Sequence, residues 1–169
     1  GPTHQATEDI AIMRVLPDMA VVAVCDAEEM KRLMDQTPDW PGPIYIRLGK
    51  GGDAIVSKPE NGFAIGKAIL MREPGDVLIV STGVMLSRAL AAAETLAGDA
   101  GINCGVLHMH TVKPLDAEAL VRLAREVRLV VTVEEHTRVG GLGGAVLEAL
   151  HDAPGLRPPP VARLGIPDV

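Results

Sequence analysis

From Val77 onward, short apolar runs alternate with helix-length segments, and this alternation leaves few folds open to the chain. A strand predicted at Val77 to Ser81 precedes an Ala- and Leu-rich helix over about 84–97. A strand near Cys104 to Met109 precedes a helix over about 117–125, opened by Asp116 as its cap. A third strand, Leu129 to Val133, leads through a glycine-rich turn to a helix near 143–151, and a last strand covers Val161 to Leu164. Strands separated by helices of this length form right-handed crossovers and a mainly parallel sheet. The expected class is therefore α/β, a three-layer αβα sandwich. The side chains agree: 47% of the residues are hydrophobic, yet Trp40, Tyr45 and Phe63 are the only aromatics. A core of Ala, Val, Leu, Ile and Met suits parallel strands buried on both faces.

The first fifty residues read differently. A short helix within 5–15 is stopped at Leu16-Pro17-Asp18, a strand covers Ala20 to Val24, and Asp26 caps a helix over about 27–35. A further strand is predicted at Ile44 to Leu48. Two strands and two helices cannot close a core. They are expected to be the end of a larger sheet, packed on the rest of the chain, on a second copy, or on residues not included here. Gly49, Gly51, Gly52, Pro59 and Gly62 mark a linker, so the division expected is 1–50, a linker over 51–62, and 63–169. After it, a strand near Ala64 to Arg72 is expected to turn at Pro74-Gly75 directly into Val77 to Ser81.

Charge and cysteine content exclude some classes. A net charge of −6 with three aromatics is unlike a nucleic-acid binder. No apolar run approaches the roughly 20 residues of a membrane span, and nothing resembles a signal peptide. Cys25 and Cys104 sit in apolar strands and read as buried, reduced thiols of a cytoplasmic protein.

Arg47 stands near the end of a predicted strand, where ligands of parallel sheets gather. It suits either a bidentate phosphate contact or a surface or interdomain ion pair. Thr3-His4 reads as a helix entry. His108 and His110 alternate and can face the same way, but no Cys or acid at suitable sequence spacing supports a zinc site, so no metal is expected. Glu134-Glu135-His136 follows a strand, and an interdomain contact is preferred there over a substrate contact. Gly140-Gly141-Leu142-Gly143-Gly144 fits neither the dinucleotide spacing nor a P-loop, and reads as a helix start packed close to the sheet.

Taken together, several strings resemble the C-terminal half of transketolases. They are Gly1-Pro2-Thr3-His4-Gln5 with Glu8-Asp9-Ile10-Ala11 and Met13-Arg14-x-x-Pro17-x-Met19, then Ser81-Thr82-Gly83 and Met109-His110-Thr111-Val112-Lys113-Pro114-Leu115-Asp116. Val133-Glu134-Glu135-His136, Gly140-Gly141-Leu142-Gly143 and Ile166-Pro167-Asp168 complete the set. Cys25 departs from the family, which usually has Pro there. The match is nearest to split transketolases, whose C-terminal section is a separate subunit. The resemblance implies the tail of a pyrimidine-binding domain followed by a transketolase C-terminal domain. It implies transfer of a two-carbon ketol unit between sugar phosphates, with His4 and Arg47 on the substrate. Thiamine diphosphate and magnesium are implied for the complete enzyme, as is an N-terminal section or subunit within a homodimer or heterotetramer. The family's catalytic glutamate and its G-D-G…N motif have no counterpart in these residues, so neither cofactor binding nor turnover is expected of them alone. Deoxyxylulose-phosphate synthase, a 2-oxo-acid dehydrogenase beta subunit, and a non-catalytic interaction module remain alternatives.

Overall fold

The structure is a computed structural model and describes residues 6–168. Two sheets organise it. The larger has the order β3 (Ile69–Arg72), β5 (Cys104–His108), β4 (Val77–Ser81), β7 (Leu129–Thr137), β8 (Val161–Ile166). All neighbours are parallel except β3, which runs antiparallel to β5. The pleat sends alternate residues to opposite faces. Leu78 and Val80 of β4 thus pack with Leu120 and Leu123 of α4 (Ala117–Ala124) and with Val146 and Leu150 of α5 (Leu142–Asp152). Ile79 faces the other way, onto Leu86, Ala89 and Ala93 of α3 (Met85–Ala100). These are the three layers. Truncating one of the fully buried leucines to Ala is worth about 2–5 kcal/mol.

The expected turn from β3 into β4 is not what forms. The two strands lie on opposite edges of β5. The chain crosses the end of β5 at Pro74, whose backbone would stand 2.6 Å from a Cβ on Gly105; a Cβ on Gly75 would stand 2.5 Å from that of Asn103. Such close crossing needs glycine at both points.

The smaller sheet has the order β2 (Ile44–Arg47), β1 (Ala20–Ala23), β6 (Thr111–Lys113). Strands β1 and β2 are parallel, in register from Ala20 with Ile44 to Ala23 with Arg47. β6, which no sequence pattern marks, comes from beyond the linker and pairs antiparallel with β1. The Ala23 N–H donates to the His110 carbonyl at 2.8 Å, and Lys113 Nζ donates to the carbonyls of Arg14 and Leu16. On one face, Ile10 of α1 (Asp9–Arg14) packs with Val21, Val112 and Ala145 of α5. On the other, Leu33 of α2 (Ala27–Met34) packs with Val22 and Val24. The N-terminal segment therefore closes its core on the rest of the chain. The linker is pinned too: Asp26 caps α2 and also accepts from the Val56 and Ser57 N–H groups, at 2.8 and 2.7 Å.

Among the described residues no helix is long and apolar enough to cross a membrane.

Candidate functional site

The parallel strands β1 and β2 end side by side at Ala23 and Arg47, so their carboxyl edge and the loops beyond it form the natural place for a ligand. Arg47 lies there, mostly buried. Its Nε is 3.2 Å from Asp9 Oδ2, and its Nη2 donates to the Ala6 carbonyl at 2.7 Å and lies 3.8 Å from Glu135 Oε2. The Tyr45 hydroxyl donates to the same Asp9 oxygen at 2.8 Å. Burial, with Asp9 beside it, pushes the Tyr45 phenol up to about 12. The guanidinium thus ties α1, β2 and the end of β7 together, the interdomain ion pair that the residue type allowed. His4 lies outside the described residues.

β7 runs four residues past its predicted end because its polar residues find partners. The Glu134 carboxylate is buried and accepts from the N–H groups of Leu142 (2.6 Å) and Gly143 (2.9 Å). The first turn of α5 has Gly141 at its N-cap and no cap from its own side chains, so Glu134 serves instead. Burial raises the Glu134 carboxyl above its ordinary range, against the pull of these two N–H donors. His136 donates from Nδ1 to the Thr137 carbonyl and accepts at Nε2 from the Ala11 N–H, 3.3 Å away. The Glu-Glu-His string thus caps α5 through Glu134 and reaches α1 through His136. Gly141 is obligatory in it, since a Cβ there would lie 2.0 Å from Glu134 Oε2. Arg14 Nη1 donates to the Gly140 carbonyl at 2.6 Å and so fastens α1 to the same turn.

Beneath the carboxyl edge lies a buried polar cluster. His108 Nε2 is 3.0 Å from both oxygens of Glu29, which also accepts from the Cys25 N–H at 2.7 Å. Burial works against ionising Glu29, but His108, His110 and the Cys25 N–H together outweigh it and leave the carboxyl below its ordinary range. Burial, with Glu29 and Asp26 close by, pushes the Cys25 thiol up. His110 stacks on Phe63 at 4.3 Å between ring centroids and contacts Thr111 Oγ1. Burial and the neighbouring His108 hold it down at about 4, so it stays neutral. No Cys or acid is spaced in sequence to join His108; the fold brings two from more than seventy residues upstream.

Two family models match, one after the other. Residues 1–52 match the transketolase pyrimidine binding domain and residues 66–169 the transketolase C-terminal domain. The chain belongs to the transketolase family.

A transketolase family protein of Sinorhizobium fredii is 46% identical over 171 residues, 99% of this chain and 49% of that protein. A 1-deoxy-D-xylulose-5-phosphate synthase of a Synechococcus species is 43% identical over 173 residues, 100% of this chain and 26% of the synthase. Among solved structures, a split gene transketolase described as an inactive beta4 tetramer superposes with a TM-score of 0.92 at 43% identity, covering 100% of this chain and 55% of that one. The chain therefore spans about half the length of its transketolase relatives, and about a quarter of the synthase.

Whether these residues fit the family's thiamine diphosphate can be judged from the helix N-termini, the places where a diphosphate binds most readily. The N-termini of α2, α4 and α5 already hold carboxylates: Asp26 on the Glu29 N–H, Asp116 on the Ala119 N–H, and Glu134 on α5. An anion there would meet a buried like charge. These three N-termini of the transketolase chain are therefore already filled, whereas that of α3 carries no side-chain cap.

Proposed function

We propose that this chain is the C-terminal part of a thiamine-diphosphate-dependent transketolase that moves a two-carbon ketol unit between sugar phosphates in the cytoplasm. The observation that carries this reading is the likeness to the split gene transketolase, which runs through both sheets at 43% identity. Residues 1–50 are then the end of a pyrimidine-binding domain, 51–62 the linker and 63–169 the C-terminal domain. The cofactor and its magnesium ion, which supply the carbon–carbon chemistry when bound, are assigned to an N-terminal section or partner subunit within a homodimer or heterotetramer. The carboxylates that already occupy the N-termini of α2, α4 and α5 support that assignment. His4 and Arg47 are assigned to the sugar phosphate. Arg47 supports the role by position, at the carboxyl end of β2, and by chemistry: its carboxylate partners can be exchanged for phosphate without leaving the guanidinium bare.

A second reading, a deoxyxylulose-phosphate synthase section, has support from the synthase that matches the whole chain at 43% identity. One assay separates them. The chain is combined with its N-terminal section, thiamine diphosphate and magnesium, and offered a ketose phosphate with an aldose phosphate acceptor, or pyruvate with the same acceptor. Ketol transfer from the ketose, dependent on both sections, is expected. Turnover of pyruvate with none of the ketose overturns the transketolase reading, as does ketol transfer by the chain alone.

A further inference from the structure

We propose that Cys25, Glu29 and His108 form a zinc site, separate from the magnesium ion of the family's cofactor. Their positions follow from one capped turn and one strand end. Cys25 closes the run after β1 and Asp26 caps α2, so Glu29 rises in the first turn four residues on. The Cys25 N–H bond to the Glu29 carboxylate keeps thiol and carboxylate on the same side of that turn. His108, the last residue of β5, meets them from the larger sheet, its Nε2 at 3.0 Å from both carboxylate oxygens. The thiol sulfur, a carboxylate oxygen and an imidazole nitrogen lie within 4.8 Å of one another. Tetrahedral zinc with bonds of about 2.0–2.3 Å needs its ligand atoms about 3.3–3.8 Å apart. Small side-chain rotations close that gap.

The donor set selects the ion. Thiolate and imidazole suit zinc, whereas magnesium takes oxygens. Charge also favours it. Glu29 is fully buried, and no Lys or Arg is among its hydrogen-bonding or ion-pairing partners. A zinc ion with one thiolate, one carboxylate and one neutral imidazole makes a site of zero net charge, the kind a dry interior tolerates. Binding forms Zn–S, Zn–O and Zn–N bonds and breaks the Cys25 S–H bond, whose proton leaves to solvent. The imidazole proton moves from Nε2 to Nδ1. Cys25, alone of the three, also lines a cavity of ≈180 Å³ with Met30, Gly51, Gly52, Asp53 and Val84, the side from which an ion and a fourth ligand can reach the thiol. A water on the ion is expected there.

The test uses the purified protein, stripped with chelator and reloaded with zinc or with cobalt(II). Expected are one retained zinc per chain and, with cobalt, a near-ultraviolet thiolate-to-metal charge-transfer band. Both should be lost in Cys25→Ser and kept in Cys104→Ser, whose thiol lies elsewhere in the core. Failure of the wild-type protein to retain zinc overturns the proposal, as does zinc retention unchanged in Cys25→Ser. Should Cys25→Ser not fold, zinc X-ray absorption of the wild-type protein decides. One sulfur with nitrogen and oxygen neighbours is expected, and a shell with no sulfur refutes the site.

Discussion

Replacing Glu134 measures what the cap supplied from β7 contributes to α5. In Glu134→Ala the N–H groups of Leu142 and Gly143 lose their acceptor. Both residues are buried, and α5 has no side chain of its own to substitute. A hydrogen bond to a charged group contributes about 1.5–3 kcal/mol, and a helix cap about 1 kcal/mol. The two bonds share one carboxylate and do not add fully, so the combined loss is about 3 kcal/mol. For a chain of this size that corresponds to a fall in Tm of roughly 6–12 °C. Glu134→Gln separates shape from charge. Its amide oxygen keeps one of the two bonds, and burial already weighs against the charged form at this position. It should therefore cost about half as much, roughly 1–2 kcal/mol. Thermal unfolding followed by circular dichroism gives both values. Hydrogen exchange across residues 142–152 should show the first turn opening in the Ala variant. A Glu134→Ala protein that melts within about 1 °C of wild type, well inside the fall expected from one lost bond, would falsify the capping role. A Gln variant as damaged as the Ala variant would show that charge, and not the acceptor, is what the turn requires.

Asp26 and Arg47 offer two further checks. Burial opposes ionisation of Asp26, but hydrogen bonds from Ser57, Glu29 and Val56 win and hold its carboxyl down to about 2, against 3.8 unperturbed. A depressed folded value stabilises above the unfolded one, so this contribution is lost as the pH falls from about 4 to about 2. Acid unfolding of Asp26→Asn should lack that step, and a wild-type-like pH dependence in the variant counts against the network. In the complete enzyme, Arg47→Lys retains the charge beside Asp9 but not the two-pronged donor. KM for a phosphorylated ketose should rise about tenfold, close to one charge-assisted hydrogen bond. An unchanged KM removes Arg47 from the phosphate.

What could be read in the sequence was local. Asp26 and Asp116 announced α2 and α4 because a capping side chain bonds only three residues ahead. The alternation after Val77 gave the parallel core strands, since burial on both faces leaves continuous apolar runs. What could not be read was pairing at a distance. β6 is three residues long, and its partner β1 lies some ninety residues upstream, so no periodicity marks it. The placement of β3 beside β5 depends on a backbone crossing at Gly105 that no turn motif encodes. The continuation of β7 through Glu134 and His136 is not marked by an apolar run, because the residues are polar and their partners come from α5 and α1. The same holds for Cys25, Glu29 and His108, whose meeting needs both sheets in place.

The pairing of β6 with β1 has a consequence for how such a polypeptide can be divided. The glycine loop at Gly51 and Gly52 invites a cut, by protease or by gene fission. A cut there would leave β1 with one bare edge and strip the cover from Ile10 and Val21. The pieces are expected to stay associated after nicking, as complementing fragments, with the N-terminal piece the one that cannot keep its core alone.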